Sequence, residues 1–124
     1  MKKGKILLVD DNKDLLQILQ IILKGHGYDT VVATSIEEAK HKIRIHSPIL
    51  ILMDVFICDE DGRDFCNMLK MQQETTNVRI ILMSGCDESL NLINHTMADD
   101  FMYKPFDYND LLDRIERQMH PVAA

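Results

Sequence analysis

The chain has 124 residues, 20 acidic against 14 basic side chains, a formal net charge of −6 and 46% hydrophobic content. That length fits one domain, and the apolar share supports a real core rather than a disordered chain. The acidic balance argues against direct nucleic-acid contact, which needs a basic face, and against adhesion to anionic membranes. No apolar run approaches the roughly 20 residues needed to span a bilayer. The basic start is followed by Ile6–Val9 alone before Asp10 and Asp11, shorter than the roughly 7–15 apolar residues of a signal peptide. A cytoplasmic protein is expected. Cys58, Cys66 and Cys86 are odd in number and none makes a Cys-x-x-Cys pair. Free thiols in a reducing compartment are therefore expected, not a disulfide framework.

In chain order, Lys5–Asp10 is a short apolar run ending in carboxylates and predicts a strand. From Asp14 to Lys24 the apolar residues Leu15, Ile18, Leu19 and Ile22 fall at helical spacing, and Gly25 and Gly27 end that helix. Thr30–Ala33 is short and rich in β-branched residues, a second strand. Ser35 with Glu38 forms a capping box for a helix through Ile36, Ala39 and Ile43, closed by Pro48. Ile49–Met53 is apolar at every position and precedes Asp54, the pattern of a strand buried on both faces. A polar loop runs to Gly62, and Phe65, Met68 and Leu69 mark a third helix. Arg79–Met83 repeats the buried-strand pattern and ends at Ser84 and Gly85. A weaker fourth helix spans about Glu88–His95, Asp100–Lys104 is a fifth strand ended by Pro105, and a last helix runs from about Tyr108 to Met119. The eight methionines are expected as core filler.

Strict strand–helix alternation predicts an α/β fold: a doubly wound, five-stranded parallel sheet with five helices on both faces. Ligands of such sheets bind at the carboxyl ends of the strands. There the sequence places Asp10 and Asp11 (first strand), Asp54 (third), Ser84 (fourth) and Lys104 (fifth). Carboxylates crowded in one pocket repel and call for a cation, and hard oxygen ligands suit Mg²⁺. A hydroxyl and an ammonium beside them can hold phosphoryl oxygens, and a carboxylate can itself become an aspartyl phosphate.

Asp10-Asp11, Asp54 after its apolar strand, Ser84-Gly85 and Lys104-Pro105-Phe106 together resemble the receiver domain of two-component response regulators, a flavodoxin-like fold, over about Lys5 to Met119. The resemblance implies one receiver domain over 1–124, with a core of about 5–119 and no output domain. It implies that Asp54 accepts a phosphoryl group, that Asp11 and Asp54 ligate Mg²⁺, that Asp10 holds it mainly through water, and that the Phe56 carbonyl is a further ligand. Ser84 and Lys104 would each hold a phosphoryl oxygen. Phe101 would be an aromatic switch, and Lys104–Pro105 a cis peptide. The implied partners are a sensor histidine kinase or phosphotransfer protein, and a downstream effector or missing output domain. Phosphorylation would reshape a surface of the fourth helix, fifth strand and fifth helix. The domain would catalyse only its own phosphorylation and dephosphorylation.

The sequence departs from the family pattern at Cys58, where proline is common, at Gly85, where alanine is usual, and at Met97-Ala98, where Gly-Ala is usual. Phe56 and Cys86 occupy positions that tune phosphoryl lifetime in the family, and bulky Phe56 predicts slow self-hydrolysis. Two other readings are a phosphorylation-silent docking module and an aspartyl-phosphate hydrolase of the haloacid-dehalogenase type. The latter expects Asp-x-Asp after the first strand, where this chain has Asp10-Asp11-Asn12. A flavin binder would need a glycine-rich phosphate loop after that strand, and there is none.

Overall fold

A computed structural model describes residues 4–85 and 96–120. In chain order the elements are β1 (Lys5–Val9), α1 (Lys13–Gly25), β2 (Asp29–Ala33), α2 (Ile36–His46), β3 (Leu50–Asp54), β4 (Phe56–Ile57), β5 (Glu60–Asp61), α3 (Gly62–Met71), β6 (Arg79–Ser84), β7 (Asp100–Tyr103) and α4 (Tyr108–Met119). The expected helix at about Glu88–His95 lies outside the described residues, as does Cys86.

Five strands form one parallel sheet in the order β2-β1-β3-β6-β7. The central strands β1, β3 and β6 are almost wholly buried, which their unbroken apolar runs require, because helices cover both faces. Alternate residues serve opposite layers. Leu7, Val9, Ile51, Met53, Ile80 and Leu82 pack against Ile36, Ala39 and Ile43 of α2 and Phe65, Cys66 and Leu69 of α3. Ile6, Leu8, Leu50, Leu52, Ile81 and Met83 pack against Leu16, Leu19 and Leu23 of α1 and Leu111 and Ile115 of α4.

Side-chain caps set the helix starts. Ser35 accepts from the Glu38 N–H at 3.1 Å, and the Glu38 carboxylate reaches back to the Thr34 N–H at 3.1 Å. This is the expected capping box, displaced by one residue on the return bond. Asn12 caps α1 by accepting from the Leu15 N–H at 3.1 Å, and Asp61 and Asp107 cap α3 and α4.

Three expectations are corrected. The buried stripe of α1 is Leu16, Leu19 and Leu23, whereas Ile18 is 43% exposed. Apolar residues surround most of this helix, so spacing alone left its phase open. The methionines divide: Met53, Met83 and Met102 are buried, but Met68, Met71 and Met97 lie on the surface. The loop after Asp54 contains a small antiparallel hairpin, β4 paired with β5. Cys58 (φ 49°) and Asp59 (φ 65°) form its turn, both in the left-handed region. Two such residues in a two-residue connection match a type I′ hairpin turn.

Candidate functional site

Parallel topology brings the polar strand ends to one edge. Asp10 follows β1, and its own N–H is bonded to the Ala33 carbonyl at the end of β2. Asp54 ends β3, in register with Met83, and Ser84 is the next residue of β6. Ser84 is buried at 5% exposure, and its carbonyl accepts from the Lys104 N–H at 2.7 Å. The Lys104–Pro105 peptide is cis.

One oxygen from each of Asp10, Asp11 and Asp54 lies within 4.8 Å of the others. Lys104 Nζ reaches into this group, donating to Asp10 Oδ2 at 2.8 Å and to Asp54 Oδ2 at 3.1 Å. A buried carboxylate needs partners. Asp10, with no exposed surface, has Lys104 and the Asn12 N–H, the latter at 2.9 Å from Oδ1. Asp54 Oδ1 accepts from the Phe56 N–H at 3.3 Å. Asp11 is exposed, and its Oδ2 accepts from the Cys58 N–H at 3.0 Å.

Among the described residues, three carboxylates face one ammonium, which leaves the cluster under-neutralised. Burial pushes the Asp54 carboxyl above its ordinary value, Lys104 opposes that rise, and the charge of Asp10 adds to it. Burial pulls the Lys104 ammonium down, but the hydrogen bond to Asp10 and the charges of Asp54 and Asp10 outweigh it and raise the group overall. Attraction thus favours charged Lys104, while burial dominates at Asp54. The acidic donors are all hard oxygens, the chemistry that fits Mg²⁺. The three carboxylates could together hold such an ion.

Of the residues singled out in the sequence, Asp10, Asp11, Asp54 and Lys104 converge in space, and Ser84 ends a strand at the same edge. Phe56 is half exposed beside Asp54. Phe101 lies in β7, partly buried against the core layer of α2 and α3, and is not part of the carboxylate group. Two further contributors hold the loop after Asp54, the first of which sequence reasoning missed. One is the Cys58 N–H on Asp11, whose only trace in the sequence was the missing proline. The other is the contact behind Gly62, a glycine the sequence reading placed where the family pattern has one: its N–H bonds the Val55 carbonyl at 2.6 Å, and a Cβ there would collide with the Asp54 carbonyl. Glycine is therefore required at this close approach.

The pattern of the response regulator receiver domain matches residues 6–116. The alkaline phosphatase synthesis transcriptional regulatory protein PhoP of Bacillus subtilis is 33% identical over 114 residues, 90% of this chain and 47% of its own length. The DNA-binding response regulator MtrA of Mycolicibacterium smegmatis is 29% identical over 119 residues, 94% of this chain and 51% of its own length. The chain thus spans about half the length of these curated relatives. The signal receiver domain of a signal transduction histidine kinase from Syntrophus aciditrophicus superposes with a TM-score of 0.87 at 26% identity, covering 98% of each chain. A putative response regulator from Chloroflexus aurantiacus gives 0.86 at 26% identity over 94% of this chain and 97% of that one. This sheet order, this acidic edge and these relatives agree: the chain belongs to the response regulator receiver domain family.

Proposed function

We propose that this receiver is a phosphorylation switch whose acceptor is Asp54. The observation that carries the reading is the convergence of Asp10, Asp11 and Asp54 on one side of Lys104, at the carboxyl edge of the sheet. The receiver unit is the segment of about 5–119, and it acts in the cytoplasm.

In this reading a carboxylate oxygen of Asp54 attacks the phosphorus of a phosphohistidine on a sensor kinase or phosphotransfer protein. An O–P bond forms, the P–N bond breaks, and the imidazole leaves with the electron pair. Asp10, Asp11, Asp54 and the Phe56 carbonyl would hold Mg²⁺, Asp10 mainly through water, and the ion would supply charge neutralisation when bound. Lys104 transfers one hydrogen bond from the Asp54 carboxylate to a phosphoryl oxygen, and the Ser84 hydroxyl donates to another. Ser84 ends β6, the strand paired with that of Asp54, and Lys104 already donates to Asp54, so little reorganisation is required.

The modified Asp54 carries more charge and more acceptor oxygens than the free carboxylate. Contacts made only in that state bias the equilibrium between two surfaces. Ser84 and Lys104 supply those contacts, and Phe101, on the neighbouring strand β7, turns inward as Ser84 moves. The altered surface comprises the fourth helix expected at about 88–95, which lies outside the described residues, together with β7 and α4. It controls an effector, either an output domain, as the length and names of the regulator relatives suggest, or a separate protein. The domain performs only its own phosphorylation and dephosphorylation. Phe56, half exposed beside the acceptor, shields the acyl phosphate from water, and Phe56→Asn is expected to shorten its lifetime.

The test is intact mass after incubation with Mg²⁺ and acetyl phosphate. One added phosphoryl group is expected in the wild type, none in Asp54→Asn, and none with EDTA. No addition in any sample from either acetyl phosphate or a phosphorylated histidine kinase would point to a silent docking module instead.

A further inference from the structure

We infer that the backbone N–H of Cys58 is a positioning group for Asp11, set in place by the left-handed turn of the β4–β5 hairpin. The inference rests on the reading of Asp11 as a ligand of Mg²⁺.

Asp11 is the exposed member of the carboxylate group and takes no bond from Lys104. A carboxylate on the surface rotates among several orientations, and holding one of them has an entropic cost. The Cys58 N–H removes part of that freedom by donating to Asp11 Oδ2 at 3.0 Å, across 47 positions of sequence. One oxygen is thereby fixed, and the group lies with an oxygen within 4.8 Å of those of Asp10 and Asp54.

The donor exists because of two properties of position 58. Its residue has an N–H, which proline lacks, and it adopts φ 49°, whereas proline is held near −65°. A non-glycine residue is disfavoured in the left-handed region. Here two adjacent residues adopt it, Cys58 and Asp59. The hairpin pairing holds the turn, as does a bond from Cys58 Sγ to the Thr34 carbonyl at 3.4 Å. Thr34 immediately follows β2, so the turn is tied both to the sheet edge and to the carboxylate it orients. Groups that orient a metal ligand are worth roughly 10–100-fold in metal affinity, and the exposure of Asp11 places this one near the lower end.

The experiment is isothermal titration of the protein with Mg²⁺. Cys58→Ala and Cys58→Gly keep the N–H and are expected to bind within twofold of the wild type. Cys58→Pro removes it and is expected to bind about tenfold more weakly. A folded Cys58→Pro with wild-type affinity would overturn the inference. So would a Cys58→Ala as weak as Cys58→Pro, which would assign the effect to the thiol. Amide hydrogen exchange gives a second measurement that does not depend on the proline variant folding. In Asp11→Ala the Cys58 amide should exchange several-fold faster, with the amides of β3 unchanged, and an unchanged Cys58 rate would also overturn the inference. Failure of the wild type to bind Mg²⁺ at all is a different result: it would remove the metal-site reading itself, and the inference with it.

Discussion

At the amino ends of β6 and β7, one carboxylate serves two cations, whereas at their carboxyl ends three carboxylates share one ammonium. In the first cluster Asp99 accepts from Lys70 Nζ at 2.6 Å, from the Ile80 N–H at 2.8 Å and from Arg79 at 3.3 Å. Lys70 also donates to the Val78 carbonyl at 2.7 Å. Each group there has a partner of opposite character, and Lys70 and Asp99 are largely shielded from water. The arrangement is closed and has no evident need of a ligand. The second cluster, around Asp54, shares its ammonium among more negative charge than it can offset. The same sheet thus carries a structural charge cluster at one end and a receptive one at the other. Charge balance separates the two more clearly than the number of ionic groups does.

The largest effect should come from breaking the closed cluster. Asp99→Ala removes the carboxylate partner of part-buried Lys70 and of the Ile80 N–H and is expected to cost about 3 kcal/mol in urea denaturation. This is near the low end for a buried pair because Arg79 is 41% exposed and can turn to solvent. The variant should still accept phosphate on Asp54, because its damage lies at the far end of the sheet. A stability loss below about 0.5 kcal/mol, the size of an ordinary surface change, would break the distinction between the clusters.

The receptive cluster should respond to its missing charge. Mg²⁺ at ten times its Kd is expected to raise stability by about 1.4 kcal/mol. Asp11→Asn should lose most of that gain at the same concentration, while Asp99→Ala should retain it. Equal gains in all three proteins would place the ion elsewhere.

The smallest effect should have the opposite sign to the first. Burial raises the folded-state pKa of Asp54 above the ordinary 3.8, so the folded protein holds that proton more tightly than the unfolded chain does. Ionised Asp54 therefore weakens the fold above its folded-state pKa, and the penalty fades as pH falls toward 3.8. In EDTA, Asp54→Asn should unfold at a slightly higher urea concentration than the wild type at pH 7, with the gap closing in acid. A lower midpoint for the variant at pH 7 would mean that Asp54 contributes net stability through Lys104.

The sequence made the sheet, its central strands and the convergence of Asp10, Asp11, Asp54 and Lys104 legible, because each depends on a strong local signal. Unbroken apolar runs report strands buried on both faces, and polar residues at their ends mark one edge. Ser35 with Glu38 announced the start of α2 in the same way. The phase of α1 was not legible, since a helix apolar on most sides offers several equivalent stripes. The β4–β5 hairpin escaped because Cys58 and Asp59 are not the Asn-Gly or Asp-Gly pair that marks a tight turn. Their left-handed conformation is imposed by hairpin pairing and by contacts to Thr34 and Asp11, all of them tertiary. The bond from Cys58 to Asp11 joins residues 47 positions apart, and no local pattern encodes it.

The most direct test of the account is to locate the phosphoryl group by chemistry. Borohydride reduces an aspartyl phosphate to homoserine, a change that peptide mass mapping assigns to one residue. After treatment with Mg²⁺ and acetyl phosphate, the account predicts homoserine at position 54 and unaltered aspartate at positions 10 and 11. Homoserine at 10 or 11 with Asp54 intact would contradict it.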